Sequence, residues 1–197
     1  MRTEICISGF GGQGIVLAGY ILGKAAALYA GKEAVMTQAY GPEARGGASS
    51  ANVIISDLVV DYPFVQQPDI LVALSQEGYL KFRPKAKEGA LIIIDRDLVD
   101  PFEDDSPAVI PATQIAEELG KRIVANVVML GFFAAVANVV NREAIKNSIE
   151  STVKPKTLSL NLEAFNRGFL YFKESTRTNA EKTALEFDRS SLPSNEI

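Results

Sequence analysis

The sequence predicts a single α/β domain: one doubly wound, mostly parallel sheet, Rossmann-like, with helices on both faces. Three observations carry this. A short apolar run, Glu4–Ser8, leads directly into GFGGQG at 9–14 and then into a helical pattern, the strand–glycine turn–helix order of a Rossmann unit. Two later runs, DILVALS at 69–75 and ALIIID at 90–95, are apolar almost throughout, as strands read when a parallel sheet is covered on both faces. Helical stretches alternate with these runs, and 197 residues suit one such domain with a short appendage.

The elements follow in order. After the glycine turn, the spacing of Ile15, Gly19, Leu22, Ala26 and Tyr29 predicts a helix over Gln13–Tyr29. Gly19 and Gly23 inside it each cost about 1 kcal/mol relative to Ala, so close packing against the sheet or another chain is expected there. Gly31 ends the helix. Ala34–Thr37 reads as a second strand that feeds YGPEARGG at 40–47, and Ala48–Ser56 with Leu58–Asp61 reads as a strand pair turning at Ser56-Asp57. A helix over Gln76–Arg83 makes a right-handed crossover between the two apolar runs. Ala108–Pro111 is a weaker strand, and Thr113 is expected to cap a helix over Gln114–Gly120. NVVMLGFFAAVAN at 126–138 is apolar nearly all round, hence a helix buried on most sides. Helices over Arg142–Ser151 and Leu160–Glu174 complete a domain of residues 1–174, and the polar stretch 175–197 reads as a tail or arm.

Composition removes several functions. A net charge of −4 and a pI near 5.0 lack the basic signature of a nucleic-acid binder. No signal peptide is visible, and the longest apolar run, Val127–Ala137, falls short of the roughly 20 residues that cross a membrane. A cytoplasmic protein with no membrane contact is expected. The single cysteine, Cys6, can form no internal disulfide and cannot hold an iron–sulfur cluster or structural zinc alone. In an apolar strand it is expected to be an inert core thiol. The absence of histidine removes the commonest general base and the commonest metal ligand together.

Two loops remain as candidates. Gly9, Gly11 and Gly14 match G-x-G-x-x-G, in which glycines admit a phosphate to backbone N–H groups at a helix start. A dinucleotide site also needs an acidic residue at the end of the second strand, yet that strand ends in Gln38 and Glu33 precedes it. Gly12 and Gln13 are additions to the pattern, and the Gln13 amide offers both donors and an acceptor. Three readings are open: a tight turn without a ligand, a stand-alone nucleotide-binding protein (an NAD-dependent enzyme or sensor module), or a phosphate-bearing or intersubunit contact. In the second loop, Tyr40, Gly41, Pro42, Glu43, Arg45, Gly46 and Gly47 place an acid and a base between two special dipeptides. Arg45 offers a planar fork for carboxylate or phosphate, and Glu43 can orient it. The plainer alternative is a Glu43–Arg45 surface pair worth about 0–1 kcal/mol.

GFGGQG, YGPEARGG and the later NVVMLG, which begins at Asn126, occur here in order and at characteristic spacing. With these motifs the sequence, from Ile5 to Phe172, resembles the gamma subunit of 2-oxoacid:ferredoxin (acceptor) oxidoreductases, the pyruvate/ketoisovalerate oxidoreductase gamma-domain family. YGPEARGG is more similar to the 2-oxoglutarate branch than to the pyruvate branch, whose loop tends to read FG-x-E-x-RG. The resemblance implies a complex with alpha, beta and ferredoxin-like delta subunits that oxidatively decarboxylates a 2-oxoacid to acyl-CoA. Thiamine diphosphate, magnesium, iron–sulfur clusters and CoA would be used through the other subunits, and none would be bound by this chain, which is not catalytic alone. Gly9, Gly11, Gly12, Gln13, Gly14, the 40–47 loop and Asn126 become the ligand or interface candidates near the CoA and active-site region. The apolar helices 13–29 and 126–138 carry more apolar surface than one small domain easily covers, so the isolated chain is expected to self-associate, for example as a homodimer.

Overall fold

The computed structural model describes residues 1–39 and 48–190, with side chains described as far as Ser175. Strand β1 (Arg2–Phe10) sits inside the sheet because both of its faces are apolar. Ile5 and Ile7 point to one side and Cys6 to the other, all buried. Helix α1 (Ile15–Lys24) continues as a π-helical turn to Tyr29 and is followed by β2 (Glu33–Ala39) and β3 (Ala48–Ser56). Then come β4 (Ile70–Ala73), α2 (Gln76–Phe82), β5 (Leu91–Asp95), β6 (Ala108–Ile110) and α3 (Ala112–Glu118). A 3-10 turn at Arg122–Val124 leads into α4 (Ala125–Val136), α5 (Arg142–Glu150) and α6 (Leu158–Ser190).

The sheet order is β2-β3-β1-β4-β5-β6. The pairs β1–β4, β4–β5 and β5–β6 are parallel, while β3 runs against both β1 and β2. The expected mostly parallel α/β sheet is therefore present, with one strand reversed. Alternation along the strands sorts the core into two layers. Ile5, Ile7, Val53, Val72 and Ile93 meet helices α1 and α4–α6, and Cys6, Leu71, Ala73 and Ile94 meet Tyr79 of α2. Helices cover both faces.

Glycines set two close approaches. A Cβ on Gly19 would lie 2.6 Å from the Cβ of Ala51, so α1 is seated directly on β3; Gly23 has only ordinary contact with Val53 at 3.8 Å. The expected packing reason therefore holds for Gly19 alone. A Cβ on Gly131 of α4 would come within 2.9 Å of the Phe169 amide nitrogen, and one on Gly168 of α6 within 3.1 Å of the Phe132 nitrogen. Backbone packs against backbone where α4 crosses α6. Residues 125–134 are buried by this chain itself, so α4 does not supply the self-association surface expected of it.

Four other expectations need correction. Leu58–Asp61 is not a strand, because β1 and β2 already occupy both edges of β3, and Leu58 and Val59 are exposed. Thr113 does not cap a helix. It lies in the first turn of α3 behind Pro111, and its hydroxyl and N–H both donate to Asp95 Oδ2, at 2.6 and 2.9 Å. Helix α1 starts at Ile15 instead of Gln13, since Gly14 takes a left-handed conformation with φ 74°. Helix α6 continues to Ser190, past the expected end at Glu174.

Candidate functional site

Strands β1 and β4 are parallel neighbours whose helices leave to opposite faces, α1 over one core layer and α2 over the other. Their carboxyl ends therefore bound a crevice at a topological switch point, where ligands of open α/β sheets bind. The first glycine loop forms its lip. Phe10 N–H donates to Gln13 Oε1 at 2.6 Å, and Gln13 Nε2 donates to the Leu74 carbonyl at 2.8 Å. One amide thus ties the loop to itself and to the end of β4. Gly9 makes room for this clamp, because a Cβ there would lie 2.5 Å from Gln13 Oε1. Gly12 and Gly14 have φ of 92° and 74°, a region that side chains disfavour. A Cβ on Gly11 would meet nothing within 4 Å, so the chain itself makes no steric demand for glycine at that position.

Asn126 completes the lip. It is 2% exposed in the first turn of α4, and its Nδ2 donates to the Gly14 carbonyl at 3.0 Å. A side chain on Gly14 would strike that amide nitrogen. The motifs GFGGQG and NVVMLG, 112 residues apart, meet in this contact. Among the described residues, the N–H groups of Gly11, Gly12 and Gly14 have no protein acceptor, and they lie at the positive end of the α1 dipole.

The crevice opens into a cavity of about 300 Å³ lined by Gly12, Gln13, Leu74, Thr113, Arg122 and Ile123. Among the described residues, Arg122 makes only a loose ion pair, Nε to Glu117 Oε1 at 3.8 Å, with both side chains more than half exposed, so it is a candidate to meet an anion. Asp95, buried at the end of β5, anchors the opposite wall. Burial pushes its carboxyl up, and hydrogen bonds from Thr113 and Asp97 oppose the shift. Because Asp95 accepts both the hydroxyl and the N–H of Thr113, it fixes the first turn of α3 against the crevice.

Of the candidates read from sequence, Gly9, Gly11, Gly12, Gln13, Gly14 and Asn126 converge here. Tyr40, Gly41, Pro42, Glu43, Arg45, Gly46 and Gly47 lie outside the described residues. The strand ends that bound them are described: Ala39 pairs with Ser50, and Ala48 pairs with Phe10 of the glycine loop. Asp95, Arg122 and Ile123 were not among the candidates, and Thr113 was singled out only as a helix cap. No periodicity marks the Lys121–Val124 segment, and only the fold carries it to the glycine loop.

Other chemistry can be tested against the same residues. Cys6 is buried in β1, and burial pushes its thiol up to about 12, so it is not a thiolate and does not fit an iron–sulfur cluster. Among the described residues no group of three His, Cys, Asp or Glu could hold a metal ion, and no helix is long and apolar enough to cross a membrane. A dinucleotide fits poorly. Strand β3 separates β2 from β1, which moves Gln38 two strand spacings, roughly 10 Å, from the glycine loop. The Gln13 clamp also spans the gap between β1 and β4.

A ligand-sized crevice at the switch point of an open, mostly parallel sheet, edged by a glycine-rich strand-to-helix turn, places the chain among the doubly wound α/β proteins. The family model "Pyruvate ferredoxin/flavodoxin oxidoreductase" matches residues 4–171, and the chain belongs to that family. It is 52% identical over 179 residues to 2-oxoglutarate synthase subunit KorC of Methanocaldococcus jannaschii, covering 88% of this chain and 96% of that one. It is similar to the crystal structure of the keto/oxoacid ferredoxin oxidoreductase gamma subunit from Geobacter sulfurreducens, with TM-score 0.77, 42% identity, and 86% and 95% coverage. A 2-oxoglutarate:ferredoxin oxidoreductase from Magnetococcus marinus, with 2-oxoglutarate, coenzyme A and succinyl-CoA bound, matches with TM-score 0.73 and 27% identity. That match covers 85% of this chain and 30% of the other. The homologues are subunits of 2-oxoacid:ferredoxin oxidoreductases, and a stand-alone dinucleotide enzyme is not favoured.

Proposed function

We propose that the chain serves as the gamma subunit of a cytoplasmic 2-oxoacid:ferredoxin oxidoreductase whose substrate is 2-oxoglutarate and whose product is the acyl-CoA. In this reading the alpha, beta and ferredoxin-like delta subunits hold the thiamine diphosphate, magnesium and iron–sulfur clusters. This chain presents the Gly11–Gly14 N–H groups and Arg122 to an anionic group of CoA, substrate or a partner subunit. The observation that carries it is the crevice of about 300 Å³ at the carboxyl ends of β1 and β4, with Arg122 on its wall. Arg45 is a second anion-binding candidate in this reading, and the strand that follows its loop starts beside the glycine loop, where Ala48 pairs with Phe10.

The test is assembly with its partner subunits and steady-state CoA-dependent oxidation of 2-oxoglutarate, followed by reduction of a viologen dye. Complexes rebuilt with Arg45→Ala or Arg122→Ala should keep their subunit content by gel filtration. Leaving a buried anion without its charged partner costs upward of about 2 kcal/mol, so activity should fall about 30-fold or more. Arg45→Lys should restore only part of it, because an ammonium cannot reproduce the bidentate fork. Wild-type rates in both alanine variants would refute the anion-presenting role, and 2-oxoglutarate oxidation by the isolated chain would refute the subunit role.

A further inference from the structure

Ile123, 60% exposed, separates the crevice from a larger hollow of about 420 Å³ on its far side. The hollow lies between the start of α1, the turn before α4 and the loop that joins α5 to α6. Val124, Val153 and Leu160 give it an apolar floor, Leu17 stands at its mouth, and Lys121 and Lys154 stand on its rim. No carboxylate lines it, and neither lysine has an ion-pair partner among the described residues. One wall is already tied down, because Lys24 Nζ donates to the Ser151 carbonyl at 3.0 Å and to Thr152 Oγ1 at 3.1 Å.

Two side-chain amides also line the groove. Asn126 and Asn161, 2% and 7% exposed, each spend Nδ2 on a backbone carbonyl, Gly14 at 3.0 Å and Thr157 at 2.8 Å. Those bonds fix the orientation of both amides. Each Oδ1 is then left without a protein donor among the described residues, in a groove both residues line. Neither oxygen is a buried atom lacking a partner, so each is open to an occupant of the groove. The occupant that satisfies every group supplies N–H donors for Asn126 and Asn161, carboxylates for Lys121 and Lys154, and an apolar side chain for the floor. A free 2-oxoacid offers acceptors only. A polypeptide offers all three.

We infer that this groove docks an acidic segment of a partner subunit, an apolar side chain flanked by carboxylates, with its backbone N–H groups on Asn126 and Asn161. Charge complementarity and the exposed apolar Ile123 and Leu17 at its mouth both fit a protein contact. The inference rests on the reading of the chain as a complex subunit, and the experiment separates the two. A photo-crosslinking side chain is placed at Ile123 in the assembled complex, and cross-linked peptides are identified by mass spectrometry. In parallel, the Lys121→Glu/Lys154→Glu double variant is titrated against the remaining subunits at low and high salt. The expected result is a cross-link to one segment rich in Asp or Glu around an apolar residue. Like charges brought face to face oppose association, so affinity should also fall about tenfold or more at low salt, with a smaller loss at high salt. The thermal unfolding of the double variant should match wild type, since both lysines are exposed. A cross-link to a non-acidic segment or to a second copy of this chain would overturn the docking inference. So would a cross-link abolished by CoA alone, or unchanged affinity of the double variant. A wild-type chain that joins no partner subunit would overturn the subunit reading as well.

Discussion

The Gln13 clamp can be broken at one atom. Gln13→Glu keeps the oxygen that accepts from Phe10 N–H but replaces the Nε2 donor with a second oxygen, 2.8 Å from the Leu74 carbonyl. One neutral hydrogen bond is worth about 1 kcal/mol, and two facing acceptors add a penalty of similar size, so the cost near neutral pH is about 2 kcal/mol. For a chain of this length that is a fall in Tm of about 4–8 °C. The sign with pH is distinctive. The introduced carboxyl can donate to Leu74 only when protonated, so its folded pKa rises above the ordinary value of about 4.3. The protonated form's bond is fully present below that ordinary value, and the deficit grows as pH rises through the folded pKa. Thermal unfolding followed by circular dichroism from pH 4 to 8 measures it, with Gln13→Met as the uncharged control that loses both bonds at every pH. A deficit equal at pH 4 and pH 7, or no deficit, would refute the clamp.

At the crossing of α4 and α6, Gly131→Ala should destabilise by about 2 kcal/mol: overpacking against the Phe165 and Phe169 backbone costs about 3, offset by about 1 of helix propensity. Gly23→Ala, with ordinary space around it, should be neutral to stabilising, and urea midpoints with unchanged slopes compare the two. Asp105 is held below the usual carboxylate range by the Arg83 guanidinium, and it also accepts from the Tyr79 hydroxyl. Its contribution is therefore present above about pH 4 and lost as pH falls through its lower folded value. Asp105→Asn should cost about 1–3 kcal/mol at pH 7 and flatten the acid limb of the stability profile. With its thiol raised to about 12, Cys6 should react with a thiol reagent at pH 8 only at the rate of unfolding, and prompt labelling of the folded chain would contradict its burial.

The fold was legible wherever burial is written as a run of apolar residues, as in Ile5–Ile7, Ile70–Ala73 and Leu91–Asp95. It was less legible where pairing is decided by a distant strand. Nothing within Leu58–Asp61 reveals that β3 has no free edge, and that apolar stretch stays outside the sheet. The end of α6 misled for another reason. Polarity reports burial, while helicity in residues 175–190 follows from Ala, Glu, Lys and Leu, which favour helix wherever they lie. At the site, glycines were visible as glycines and Asn126 as part of a motif. Arg122 and Asp95 reach the crevice through positions that only tertiary packing assigns. Thr113 looked like a cap because Ser, Thr, Asn and Asp at helix starts usually are. Here the buried carboxylate of Asp95 takes its hydroxyl first.

The reversed strand β3 bears on how such a subunit can diversify. In an all-parallel sheet, every connection leaving the carboxyl edge returns through a crossover, and altering it disturbs a packed layer. Residues 40–47 instead join β2 to an antiparallel neighbour, anchored by the pairs Ala39–Ser50 and Phe10–Ala48. A connection of this kind can be lengthened or exchanged at about 0.6 kcal/mol for each doubling of its length, with no element rethreaded. The chain between these two fixed ladder pairs can then change in length or sequence while the glycine lip and Asn126 stay as they are.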